Sequence, residues 1–185
     1  MSVRTFAIAL ALAVAPVAVA ADEDNPYRKV KVGDYATYKL TGKAGTQALE
    51  GTLTQTVSAK SDKEATLKVT SKVNGMDVPG QEQKIDLTKP YDPTKAVLPE
   101  GTEAKIEKVK DGKEKIKAAG KEYDCTWETY KVKAKTMGME IEADLKVWQS
   151  KDLPLLVVKL EMTAETGGMK IETVMDLTES GTKSD

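Results

Sequence analysis

Apolar and polar residues alternate with a period of two along most of this chain. That period restricts it to strands with one buried and one solvated face. Leu49, Gly51, Leu53, Gln55, Val57 and Ala59 point one way, and Thr52, Thr54, Thr56 and Ser58 point the other. Ala65, Leu67, Val69 and Val73 repeat the pattern against Thr66, Lys68 and Thr70. Met139, Ile141, Ala143, Leu145 and Val147 alternate with Glu140, Glu142, Asp144 and Lys146. Leu156, Val158, Leu160 and Met162 form a further apolar face, as do Met169, Ile171, Met175 and Leu177. Strands of this kind belong to an antiparallel sheet packed on one side.

Turn residues separate the runs. Asn74-Gly75 is a strong two-residue hairpin signal, and Gly120-Lys121, Gly138 and Gly167-Gly168 are weaker ones. Gly42 to Gly45 is read as the turn that follows a Tyr35–Leu40 strand, and Asp111-Gly112 as a hairpin turn. The alternation changes phase near Trp127: Tyr123, Cys125 and Trp127 share one parity, and Tyr130, Val132 and Ala134 the other. A β-bulge near Glu128 accounts for that change and would bend the sheet. The segment 88–101 carries Pro90, Pro93 and Pro99 without alternation. It reads as a long connection dividing the strands into two groups, with room for a short helix between Pro93 and Pro99.

The N-terminus has a different logic. Arg4 precedes an unbroken apolar stretch from Phe6 to Val19, which ends in Ala18-Val19-Ala20. This order is that of a secretory signal peptide over 1–20, cleaved between Ala20 and Ala21. The expected mature chain is exported, periplasmic or extracellular, and keeps no stable membrane anchor. It divides into a lead-in at 21–33, a β domain at 34–179 and a frayed tail at 180–185.

Few residues suggest chemistry. The chain has no histidine, which removes the commonest metal ligand and general base. Its 28 basic and 29 acidic residues leave no basic surplus for nucleic acid. Glu140, Glu142 and Asp144 could weakly recruit a cation, but they read better as a solvated face balanced by lysines on neighbouring strands. Cys125 stands on an apolar parity and reads as a small core residue. The methionines after position 1 are Met76, Met137, Met139, Met162, Met169 and Met175. They serve either as core filler or as the lining of an adaptable apolar site. The expectation is a protein that is not an enzyme and uses no cofactor or metal.

One stretch has a recognisable pattern. Gly112-Lys113-Glu114-Lys115-Ile116-Lys117-Ala118-Ala119-Gly120-Lys121-Glu122-Tyr123-Asp124-Cys125 is followed by Lys146-Val147-Trp148-Gln149-Ser150-Lys151-Asp152-Leu153-Pro154-Leu155. These residues are similar to those of exported bacterial half-barrel proteins that resemble the lipoprotein-carrier superfamily, which sorts outer-membrane lipoproteins. The resemblance implies a half-barrel, a strongly curved antiparallel sheet around an apolar hollow. The fold expected is therefore mainly β, a single curved sheet of roughly eight to ten strands with little helix. Two functions fit it. In one, Leu145, Val147, Val158, Leu160, Met162, Ile171 and Met175 line a concave face that accepts a lipid or another apolar small molecule. In the other, the core is filled by its own side chains and the module binds an envelope protein.

Overall fold

The computed structural model describes residues 25–89, 103–136 and 139–183. The strands, in chain order, are β1 (Asp34–Ala44), β2 (Gln47–Lys60), β3 (Glu64–Val73), β4 (Met76–Asp86), β5 (Glu103–Ala118), β6 (Lys121–Thr136), β7 (Met139–Gln149), β8 (Val157–Thr166) and β9 (Met169–Thr182). They form one antiparallel sheet in the order β4-β3-β2-β1-β9-β8-β7-β6-β5. Each group of strands is a meander, and the β1–β9 pairing joins the two groups. The sheet is not closed into a barrel, because β4 and β5 are its two free edges. It is nonetheless strongly curled: β5 and β9, four places apart in the strand order, come into contact. Curling lets a one-layer sheet bury an apolar face against itself. The predicted Pro93–Pro99 helix and most of the 88–101 connection lie outside the described residues. So do the leader, Ala20 and Ala21, and Gly138.

The Asn74-Gly75 and Gly167-Gly168 turns are where the alternation places them, and all four residues have positive φ. Asp111-Gly112 is not a turn. β5 runs through both residues, and the chain reverses at Ala119-Gly120, whose φ values are 49° and 73°. Gly112 serves a different need. It lies beneath the Trp127 indole, and a methyl there would stand 2.6 Å from the ring. Gly112→Ala is accordingly expected to cost about 1–3 kcal/mol by overpacking. A lower urea midpoint and a shifted tryptophan emission check this, since both tryptophans of the chain, Trp127 and Trp148, lie in this region.

Gly42 is likewise inside a strand, and the first turn is tighter and later than expected, at Gly45-Thr46. The bulge anticipated near Glu128 belongs to the neighbouring strand. The register shift is between Lys108 and Lys110 of β5, whereas β6 pairs with β7 without interruption. β6 changes phase because it buries opposite faces at its two ends. Tyr123 and Cys125 are buried at the start, and Glu128, Tyr130, Val132 and Ala134 later on.

Both ends of the domain are better ordered than the sequence suggests. β9 extends to Thr182, and its last residues pair with Asp34, Tyr35 and Ala36. Before β1, a single 3-10 turn at Pro26–Lys29 packs into the core, with Tyr27 and Val30 essentially inaccessible. The Asn25 side chain caps that turn by accepting from the Tyr27 N–H, and donates to the carbonyls of Asp86 (2.9 Å) and Lys89 (3.2 Å). Arg28 donates to the Leu87 carbonyl at 2.8 Å, and Lys60 donates to the Arg28 and Val30 carbonyls at 2.7 Å each. Residues 25–30 thus form a strap that ties the ends of β2 and β4 together. They are not a loose lead-in.

Candidate functional site

All seven residues assigned to the concave face do share one face. Leu145 and Val147 lie on β7, Val158, Leu160 and Met162 on β8, and Ile171 and Met175 on β9. Val147, Leu160 and Met175 are consecutive partners across three strands. None of the seven exceeds 5 % exposure. They join Tyr38, Leu40, Leu53, Val57 and Leu67 from the other half of the sheet in one continuous buried cluster. All seven are buried, and Leu145 and Met162 also border a pocket of 320 Å³ beside Tyr130. Among them the Thr173 hydroxyl is buried without a hydrogen-bond partner. Thr173 stands between Gly42 and Met162.

At the β5–β6 side the same face ends in charged and polar groups. Glu128 is only 3 % exposed and takes hydrogen bonds from the Lys108 ammonium and the Tyr130 hydroxyl. The register shift beside Val109 brings Lys108 onto this face. Sequence reading missed the cluster, although a signal was present: Glu128 is in phase with Tyr130, Val132 and Ala134, an acid among core positions. The bond to Glu128 holds the Lys108 amine above its ordinary pKa. Burial, and then the bond to Glu128, raises the Tyr130 hydroxyl. In both groups the fold favours the protonated form. Their stabilisation is therefore complete below the unfolded-state pKa values, near 10, and is lost as pH rises through the higher folded ones. Stability should fall above about pH 10, and less steeply in Glu128→Gln. Urea midpoints measured across the alkaline range check this.

The residues that carry the family resemblance meet on the opposite face of β5–β7. The Trp148 indole N–H donates to Glu114 at 2.8 Å. The Lys146 ammonium lies 4.5 Å from the Trp127 ring centre and 4.2 Å from that of Trp148, and Lys159 is 5.1 Å from the latter. Each such contact is worth about 0.5–1 kcal/mol where exposed. Cys125 is buried opposite Glu114, and burial pushes its thiol up to about 11, which keeps it protonated at neutral pH. Ser150 to Leu156 form a closed loop, the Ser150 N–H donating to the Leu156 carbonyl at 2.9 Å, with Leu153 and Leu155 buried. Between this loop and the β5–β6 hairpin runs a cleft of 640 Å³, lined in part by Lys113, Asp124, Cys125, Thr126, Ser150 and Lys151. The motif residues thus fix how hairpin and loop pack.

Elsewhere the surface is balanced. Glu142 is bonded to Lys133 at 2.6 Å, and Asp144 stands opposite Lys131. Both free edges carry residues that oppose strand addition. β4 has Pro79, and β5 has its bulge and Lys105, Lys108, Lys110, Lys113, Lys115 and Lys117.

No family model matches the chain, and no curated protein matches it. Among solved structures it is similar to a protein from Bacteroides fragilis NCTC 9343 classed as exported and as having a YmcC-like fold. The two are 9 % identical, with 82 % of this chain and 96 % of that one covered and a TM-score of 0.52. At that identity the likeness is one of fold.

Proposed function

We propose that this chain is an exported interaction module whose apolar face is filled by its own side chains. It meets its partner through side-chain surfaces and does not carry an apolar ligand. The observation that carries this reading is the burial of all seven concave-face residues, none more than 5 % exposed. The leader pattern of residues 1–20 and the fold likeness to an exported protein support export. The guarded edges favour recognition by side chains over strand addition. The cleft beside the Ser150–Leu156 loop is, among the described residues, a candidate surface for it. Absence of histidine and the raised thiol of Cys125 support a non-catalytic role.

Native mass spectrometry of protein purified from its own exported fraction tests the proposal. The expected mass is that of the polypeptide beginning at Ala21, with no adduct and no uptake of added palmitate. A co-purifying lipid, or saturable palmitate uptake, would reverse the reading in favour of a carrier.

A further inference from the structure

The β3–β4 turn holds a residue whose chemistry the proposed function leaves unused. Asn74 and Gly75 are both exposed, with φ values of 49° and 81°. The Asn74 side chain does not point into solvent. Its Oδ1 accepts from the Glu50 N–H at 2.9 Å, and its Nδ2 donates to the Ala48 carbonyl at 3.2 Å. The Asn74 N–H also donates to the Glu50 carbonyl at 2.7 Å. The side-chain amide therefore continues the β2–β3 ladder beyond Gly51↔Val73, as a peptide group would.

We infer that Asn74 is a deamidation site which the folded hairpin holds in check. In the reaction the Gly75 backbone nitrogen attacks Asn74 Cγ and loses its proton to water, and ammonia leaves. The resulting succinimide is opened by a second water to aspartate or isoaspartate. Gly75 has no side chain to hinder the attack. The chain's other asparagine, Asn25, precedes Pro26, whose nitrogen carries no hydrogen, so the same ring closure is barred there. In the folded protein both side-chain bonds to β2 must break before Cγ can reach the Gly75 nitrogen. Once formed, an aspartate still accepts from the Glu50 N–H but sets a carboxylate oxygen against the Ala48 carbonyl. Isoaspartate also lengthens the main chain within a two-residue turn. Either product loosens the hairpin that holds the edge strand β4.

Two measurements test the inference on the full-length mature protein. In the first, folded and urea-unfolded protein are incubated at mildly alkaline pH, and the peptide containing Asn74 is weighed. Loss of two hydrogen bonds predicts a mass gain of about one dalton that accumulates at least about tenfold faster in the unfolded sample. Equal rates would overturn the protective role. In the second, Asn74→Asp is compared with the parent by urea denaturation. The folded-to-unfolded ratio is expected to fall roughly fivefold or more, and an unchanged midpoint would overturn the structural consequence.

Discussion

Leu160→Ala is expected to lower the free energy of unfolding by about 2–5 kcal/mol. Leu160 is 1 % exposed and lies between Val147 and Met175, near the middle of the buried face. Its removal takes apolar surface from the core and leaves a cavity that neighbouring strands cannot collapse into, because their own side chains are already in contact. Had Leu160 lined an open hollow, the truncation would only enlarge an existing space and the cavity cost would vanish. Urea denaturation with linear extrapolation measures the difference. Thr52→Ala, on the solvated face of β2, is the control and should stay within about 0.5 kcal/mol of the parent.

Gly42→Ala is expected to be more damaging still. An added methyl would stand 2.0 Å from the Glu172 carbonyl oxygen and 3.0 Å from Thr173 Cα. Both contacts are with the backbone of β9, so no side-chain rotation relieves them. The strands must separate, and β1–β9 is the seam through which the two groups of strands are joined. A loss of about 4 kcal/mol or more follows, in the range where mutations unfold marginal domains. The same denaturation experiment measures it. A variant within 1 kcal/mol of the parent, on a scale where such a change is large, would mean that the seam tolerates a wider spacing.

These two positions also mark how far the sequence could be read. Leu160 was legible because a one-sided strand repeats its instruction every second residue. The same regularity made the sheet, its antiparallel order and the shared face of all seven concave residues foreseeable. Gly42 and Gly112 were not legible. A glycine that turns the chain, one that lets two strands approach and one that receives an aromatic ring are the same letter. Partners far along the chain, Glu172 and Trp127, decide between them. The Asn25–Val30 strap has no period at all. Its burial depends on bonds to Lys60, Asp86, Leu87 and Lys89, which no local pattern announces. Whether the apolar face is open or filled depends on how tightly the sheet curls, and a period of two is the same in either case.

Glu128 illustrates the opposite failure. Its phase was visible, but an acid on an apolar parity reads as an irregularity until its partners are known. Lys108 comes to it only because β5 shifts register at Val109. The cluster contributes an ion pair between the buried Glu128 and the exposed Lys108 at the end of an otherwise apolar face. Its worth lies as much in fixing the β5–β6 register as in net stability.

Electron density for protein purified from its host compartment shows whether the sheet fills its own concavity. The prediction is side-chain density packed continuously around Leu145, Leu160 and Met162, with nothing between them. An elongated feature running beside those residues and ending at the Thr173 hydroxyl, accounted for by no side chain, would contradict it and identify a carrier.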